Sequence, residues 1–358
     1  MKSFSSSVSR RVSRRVSRRV LSSVLFASIF VVGGLVAVSC SGLESDYAKQ
    51  QKIDDEIIGK YLTDNNIQAQ RHSVGFYFFP LYGLTLHSSA QAGSAQSNSG
   101  AIQSNVSPIL GALKQNDIVS FYYTISLLNG TVIESNEGVG SGAAPKAEPA
   151  KFRLLSQTII PEGLDYGIKL MSVGQRYRFY MPSYLAYGNY STSYLPVNSN
   201  LIIEIEVVGV QTQTQIDDIE RDSIFNFASA RYQSFKQYPS GLCFVDSIPG
   251  AGEKPFSGDR VKVDFTRSYL NDTIIKSVED VMFYIGNGQA VEGLEESLRL
   301  MKAGGTSVLI MPSSIAFKQS LCIIPQKARA DLLRDKVITS EVLPYSIVKY
   351  VVKLKSVN

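Results

Sequence analysis

The chain has no tryptophan, two histidines and three cysteines in 358 residues, and only 19% of it is charged. Each shortage removes a class of function. His72 and His87 have no nucleophile and acid arranged around them at triad-like spacing, so nothing supports a nucleophile–base pair. The cysteines form neither a CxxC pair nor a Cys/His cluster, so no metal and no cofactor are expected. The formal charge of +5 invites a nucleic-acid reading. Seven of the 36 basic residues, and no acid, lie within residues 1–39, however. Beyond them stand 29 basic against 31 acidic residues, a net of −2, so no nucleic-acid partner is expected. What is present is 44% apolar residues with 19 Tyr and 17 Phe, enough for sizeable cores and a composition that favours sheets. The length suits two domains.

The start of the chain has three parts. A Ser/Arg stretch repeats "SRRV" three times, an uncharged apolar run follows to Ser39, and Cys40 is then followed by small and polar residues. A basic region, an apolar region and small residues before a cut describe a secretory signal. A cysteine at the cut, here after Val36, Ala37, Val38 and Ser39, resembles the lipobox of bacterial lipoproteins. Residues 1–39 are then a lipoprotein signal peptide, and Cys40 is the lipidation site that tethers the chain to a membrane, expected to be the outer membrane. The competing reading is an uncleaved anchor, because the run approaches the roughly 20 residues that span a bilayer. The paired arginines also permit a twin-arginine export route. Outside the cytoplasm Cys243 and Cys322 can either pair or remain buried thiols.

The dominant feature is an internal repeat. "EGLDYGIKLMSVGQRYRFYMPSYLAYG" from Glu162 returns as "EGLEESLRLMKAGGTSVLIMPSSIAFK" from Glu292, at an offset of 130. "NDIVSFYYTISLLNGTVIES" from Asn116 returns as "GDRVKVDFTRSYLNDTIIKS" from Gly258, at an offset of 142. The first copy therefore holds 12 extra residues between the blocks, in "GVGSGAAPKAEPAK". The second carries a longer insertion, "QSLCIIPQKARADLLRDKVITSEVLPYS", after its later block. Both are expected to be surface loops, and the polar stretch 88–107 reads as a mobile loop of the first copy. "KIDDEIIGKYL" from Lys52 and "QIDDIERDSIF" from Gln215 precede the two copies, and Ile53, Ile57 and Tyr61 predict the apolar stripe of an amphipathic helix.

Within a copy, "IVSFYYTISL" alternates as a strand, Asn129-Gly130 predicts a hairpin turn, and Leu164, Ile168 and Met171 predict two helical turns. "QRYRFYMP" and "NLIIEIEVVGV" alternate again. A short helix on a mainly antiparallel sheet is an α+β pattern. The expected organisation is a tether and amphipathic helix over 40–71, a first domain over 72–211, a linker helix over 212–237 and a second domain over 238–358.

These blocks resemble the FKBP-type peptidyl-prolyl isomerases. The resemblance rests on Tyr123-Thr124 ahead of the Asn129-Gly130 turn, on "IPEGLDYGIKLMSVG", on "PSYLAYG" from Pro182 to Gly188 and on the final strand "LIIEIEVVGV". It covers about 120 residues of each copy. It implies two tandem FKBP-like domains, each an antiparallel twisted sheet wrapped on a short helix. Tandem copies behind a lipobox look like FKBP-type lipoproteins of Bacteroidetes.

Rotation about an Xaa-Pro bond breaks no covalent bond, so it needs no nucleophile and no acid–base pair. Its barrier of about 18–20 kcal/mol falls in a pocket that favours the twisted amide over the planar one. The resemblance implies such a pocket in the first copy. Tyr123 and Ile133 wall it, Glu134 stands as the carboxylate near the substrate carbonyl, and Ile160 precedes the helix. Leu164 is the floor, Tyr187 offers its hydroxyl to the substrate carbonyl, and Ile203 lines it from the last strand. Three departures stand out. Glu134 is longer than the usual Asp, Leu164 and Ile203 replace aromatics, and Pro161 removes a backbone N–H unless a one-residue slip puts it outside the site. The second copy has Phe265 for Tyr123, Lys276 for Glu134 and Phe317 for Tyr187, with Val291, Leu294 and Tyr350 as lining, and is expected to be inactive or very weak. The expected function is an envelope foldase acting on proline-containing exported polypeptides through the first copy. The alternative is a non-catalytic binding or scaffold lipoprotein in an envelope protein complex.

Overall fold

The computed structural model describes residues 45–81, 112–137 and 148–358. The leader, Cys40, His87 and the polar stretch 88–107 lie outside the described residues. Contacts divide the chain into two units. The N-terminal unit comprises Ile53–Ser156 and Pro161–Val210; the C-terminal unit comprises Gln211–Asn358, Gln157–Ile160 and the described residues before Ile53.

The N-terminal copy runs α1 (Asp46–Asp64), β1 (Gln70–Arg71), β2 (Tyr77–Pro80), β3 (Ile118–Leu127), β4 (Val132–Ser135), β5 (Ala150–Arg153), β6 (Ile159–Ile160), α2 (Gly163–Gly167), β7 (Arg176–Met181) and β8 (Leu201–Gln211). Its sheet has the order β1-β2-β7-β8-β3-β4, with β5 also on β3. The C-terminal unit runs α3 (Gln213–Arg231), β9 (Lys236–Gln237), β10 (Cys243–Ile248), β11 (Arg260–Ser268), β12 (Ile274–Tyr284), α4 (Glu292–Leu298), β13 (Thr306–Met311), β14 (Cys322–Ile323), α5 (Ala328–Arg334) and β15 (Val348–Val357). Its six-stranded sheet has the order β12-β11-β15-β13-β10-β9. Strand for strand the two orders are the same.

Register makes the equivalence residue-exact. Thr124 faces Ser135 on β3–β4, and Thr266 faces Ser277 on β11–β12. Phe179 faces Ile203 on β7–β8, and Leu309 faces Tyr350 on β13–β15. The 11-residue β12 pairs along the whole of β11, whereas in the first copy β4 and β5 divide that role. The extra residues of the first copy thus fall inside what is one continuous strand in the second.

Alternation builds the inner faces. Leu201, Ile203, Ile205 and Val207 of β8 are buried, and the residues between them are half-buried. The short helix presses onto this face where glycines allow it. A Cβ on Gly163 would sit 2.3 Å from Met181 Sδ, and one on Gly293 2.5 Å from Met311 Sδ. The chain then turns through Gly174 and Gly304, at φ +86° and +87°, a region that favours glycine.

Each copy is preceded by a helix lying on the opposite face of its sheet. Ile58 and Leu62 pack with Tyr180, and Ile224 and Ala228 pack with Cys243, Val245, Val308 and Ile310. A capping box between Thr212 and Gln215 starts α3. The expected stripe on α1 is corrected. Ile53 and Ile57 are 47% and 45% exposed, and the buried positions are Asp54, Ile58 and Leu62. The stripe begins one residue later because its first member is a carboxylate, which a search for apolar periodicity passes over. The segment expected as a linker helix, 212–237, contains α3 and groups with the C-terminal unit.

The long insertion of the second copy is not a plain loop. It forms β14 and α5 and buries Cys322, Ile323, Ile324, Leu332 and Val342, while Arg329 donates to the carbonyls of Ser340 at 3.0 Å and of Leu321. Cys243 and Cys322 are both free. Burial pushes their thiols up to about 11 and about 12, the second against the pull of Arg329. Among the described residues no helix is long and apolar enough to cross a membrane.

Candidate active site

In the N-terminal unit β3, between β8 and β4, supplies Tyr123, which is 2% exposed. Its hydroxyl donates a short hydrogen bond to Glu134 Oε1 on β4. The backbone around the pair is fixed from both sides. Tyr123 N–H donates to Asn136 Oδ1 at 2.6 Å, Asn136 N–H donates to the Tyr123 carbonyl at 3.1 Å, and Ser135 Oγ reaches that same carbonyl at 3.2 Å. The β4 carboxylate and the β3 phenol are thereby set in one geometry. Ile133, beside Glu134, is buried. Phe121 stands 6.2 Å from Tyr123 and meets Phe152 edge-on at 5.8 Å, so the aromatic wall is deeper than the single tyrosine read from sequence.

Leu164 is fully buried in the first turn of α2, and Ile203 is fully buried on β8. Tyr187 follows the 3-10 turn Ser183–Leu185, is half-buried, and has its ring 6.4 Å from that of Tyr190. Ile160 lies on β6, which groups with the C-terminal unit rather than with the rest of its copy. Pro161 is buried directly before α2, and its carbonyl accepts from Leu164 N–H at 3.1 Å, starting the helix. Beside it, burial and then the charge of Asp165 raise the Glu162 carboxyl above its ordinary range. Among the described residues no cluster of His, Cys, Asp or Glu can hold a metal.

The C-terminal unit gathers the equivalent positions in one core. Buried Leu294 and Tyr350 pack there with Phe265, Val291 and Phe317, and Phe265 lies 5.3 Å from Tyr350. The space between them holds a side chain of the protein itself. Arg267 is only 7% exposed, and its guanidinium carbon sits 4.6 Å from the centre of the Phe317 ring and 5.8 Å from that of Tyr350. Arg267 Nη1 donates to Tyr350 Oη at 3.2 Å, and Nη2 donates to Glu341. Lys276 bonds the other Glu341 oxygen at 2.9 Å. Burial pushes the Tyr350 hydroxyl up, against the pull of Arg267.

Register explains the exchange. Ile125 faces Glu134 in the first copy, and Arg267 faces Lys276 in the second. Two positions have become basic together, and the insertion returns one carboxylate, Glu341, to neutralise them. A cavity of about 540 Å³ in this unit is lined by Tyr269, Ile275, Leu333 and Glu341, with none of Phe265, Leu294, Phe317 or Tyr350 among its walls. Sequence reasoning missed Arg267 because its charge reads as solvent-facing, although it continues the inward alternation of Val261, Val263 and Phe265.

The model of the FKBP-type peptidyl-prolyl cis-trans isomerase family matches residues 111–208 and again 251–354. Over 98 residues, 27% of its length, the chain is 35% identical to the FKBP-type peptidyl-prolyl cis-trans isomerase FkpA of Aeromonas hydrophila, covering 33% of that protein. Over 211 residues, 58% of its length, it is 22% identical to peptidyl-prolyl cis-trans isomerase FKBP9 of Mus musculus, covering 32% of that protein. The matches thus span about a third of each relative. Among solved structures, the chain is similar to a peptidyl-prolyl cis-trans isomerase from Pseudomonas syringae pv. tomato, with 18% identity, a TM-score of 0.32, and coverage of 42% of this chain and 99% of that one. It is also similar to FkpA from Escherichia coli, with 19% identity, a TM-score of 0.30, and coverage of 41% and 64%.

Proposed function

The chain belongs to the FKBP-type peptidyl-prolyl cis-trans isomerase family, and on that premise we propose that its N-terminal copy isomerises Xaa-Pro bonds while its C-terminal copy is closed. The observation that carries this is the contrast between the two copies. Tyr123 is bonded to Glu134 in one copy, and Arg267 is seated against Phe317 and Tyr350 in the other.

The chemistry needs little from the protein. In the twisted amide, resonance is lost and the carbonyl is less well solvated, so an apolar aromatic slot favours it over the planar ground state. A 10⁴-fold acceleration needs only about 5.5 kcal/mol. Tyr123, Ile133, Leu164 and Ile203 supply buried apolar surface for the proline ring. The Tyr187 hydroxyl is the donor to the substrate carbonyl, and Glu134 orients the Tyr123 phenol. The same residues suit binding without turnover, which is the alternative reading of a non-catalytic scaffold lipoprotein. Export, lipidation of Cys40, membrane tethering and exported polypeptides as clients follow from the leader and belong to this proposal.

Residues 41–358, titrated with an Xaa-Pro peptide and followed by amide NMR, are expected to shift at Tyr123, Leu164 and Tyr187, with the amides of Phe265, Leu294 and Phe317 unmoved. Shifts confined to the C-terminal set would reverse the assignment of the working copy.

A further inference from the structure

The helix before the first copy reaches the turn that carries the candidate hydroxyl, and it does so with a buried carboxylate. Asp54 on α1 is fully buried, and its Oδ2 accepts from Ser183 N–H at 3.0 Å and from Ser183 Oγ–H at 2.7 Å. Asn200 Oδ1 accepts from the same N–H at 3.0 Å. Ser183 opens the 3-10 turn, and its carbonyl accepts from Ala186 N–H at 3.0 Å and Gly188 N–H at 2.8 Å, the residues flanking Tyr187. One serine is thus gripped by the helix on one side and closes the Tyr187 turn on the other.

The C-terminal unit repeats the device. Glu220 on α3 is 5% exposed, and its Oε2 accepts from Ser313 N–H at 2.7 Å and Oγ–H at 3.0 Å. The Ser313 carbonyl accepts from Ala316 N–H at 3.1 Å and Lys318 N–H at 2.7 Å, around Phe317. Asp54, Ile58 and Leu62 correspond to Glu220, Ile224 and Ala228 at an offset of 166. The sequence match of "KIDD" to "QIDD" gave 163, so contact with the serine, not sequence identity, sets the helix register. Both helices lie outside the segments matched by the family model, 111–208 and 251–354. Charge-assisted bonds of this kind are short and about twice as strong as neutral ones, and buried ones hold their partners in one geometry.

We infer that Asp54 and Ser183 are positioning residues, through which α1 fixes the Tyr187 turn for isomerisation. This rests on the isomerase reading of the N-terminal unit. The test uses residues 41–358 with four variants: Ser183→Ala, Ser183→Thr, Asp54→Asn and, as the counterpart in the closed copy, Ser313→Ala. For an Xaa-Pro peptide, Ser183→Ala and Asp54→Asn are expected to lower kcat about fivefold to tenfold with KM within about twofold. Ser183→Thr keeps the hydroxyl and is expected to restore kcat. Ser313→Ala is expected to lower the melting temperature comparably and leave kcat and KM unchanged. Hydrogen exchange at the Gly188 amide is expected to speed up in Ser183→Ala. Unchanged kcat in Ser183→Ala, or an equal loss in Ser313→Ala, overturns the positioning role. A wild-type chain without activity overturns the isomerase reading instead, and Gly188 exchange then decides by itself whether the clamp holds the turn.

Discussion

Replacing Glu134 by Lys and Tyr187 by Phe together is expected to lower kcat/KM for an Xaa-Pro peptide at least about a hundredfold, roughly 2.7 kcal/mol, while the N-terminal unit stays folded. The chain already contains the outcome of these substitutions, because Lys276 and Phe317 stand at the equivalent register positions of a folded second copy. Tyr187→Phe deletes a hydrogen bond worth about 1 kcal/mol, and more where its partner is left buried. Glu134→Lys removes the acceptor of the phenol of Tyr123, a residue only 2% exposed. Glu134 is only half-buried, so the lysine can reach solvent, and the melting temperature is expected to fall only by the few degrees that about 1–3 kcal/mol for the unsatisfied phenol costs. Isomerase kinetics and thermal unfolding on the same samples check both halves. A fully active double variant would remove Tyr187 and Glu134 from the site.

The second large effect concerns the closed copy. Arg267→Ala is expected to destabilise the C-terminal unit by about 2–4 kcal/mol, from lost contact with two aromatic rings and a lost charge-assisted bond to Glu341. Glu341 keeps Lys276 as a partner, which limits the loss. Arg267→Ile installs the residue that stands at Ile125 in the first copy. It refills the strand position with a β-branched side chain and is expected to cost less than alanine. It also vacates the slot between Phe317 and Tyr350. Denaturant unfolding gives the order of stability, wild type above isoleucine above alanine. Peptide titration of Arg267→Ile is expected to move amides of the C-terminal unit that stay fixed in the wild type. Alanine as stable as wild type would mean that the buried guanidinium contributes nothing to closing this pocket.

Much of this architecture was legible because the chain states it twice. Two blocks at two offsets gave the duplicated α+β domain, and the resemblance named Tyr123 and Glu134 separately; their hydrogen bond, diagonal to the register in which Ile125 faces Glu134, came only with the structure. The 12-residue difference in offset located the break between β4 and β5. What sequence hid has one physical cause in each case, a polar group placed where periodicity expects an apolar one. Asp54 heads the buried face of α1, so the apolar count favoured Ile53 and Ile57, which are exposed. Arg267 continues the inward alternation of Val261, Val263 and Phe265, but its charge reads as solvent-facing, and its guanidinium lies over two rings. Glu341, 74 residues from Arg267 in the chain, comes from the insertion and could be paired with it only in three dimensions. A signal for the first was present: Asp54 and Glu220 are each followed by apolar or small residues four and eight positions on, in both copies.

The most direct test of one working and one closed copy is the rate of cis–trans isomerisation of an Xaa-Pro peptide by residues 41–358, with Tyr187→Phe and Phe317→Tyr alongside. The expected result is catalysis that falls about tenfold in Tyr187→Phe and does not change in Phe317→Tyr. A folded chain that leaves the uncatalysed rate unaltered, or one whose activity survives Tyr187→Phe and rises with Phe317→Tyr, would contradict it.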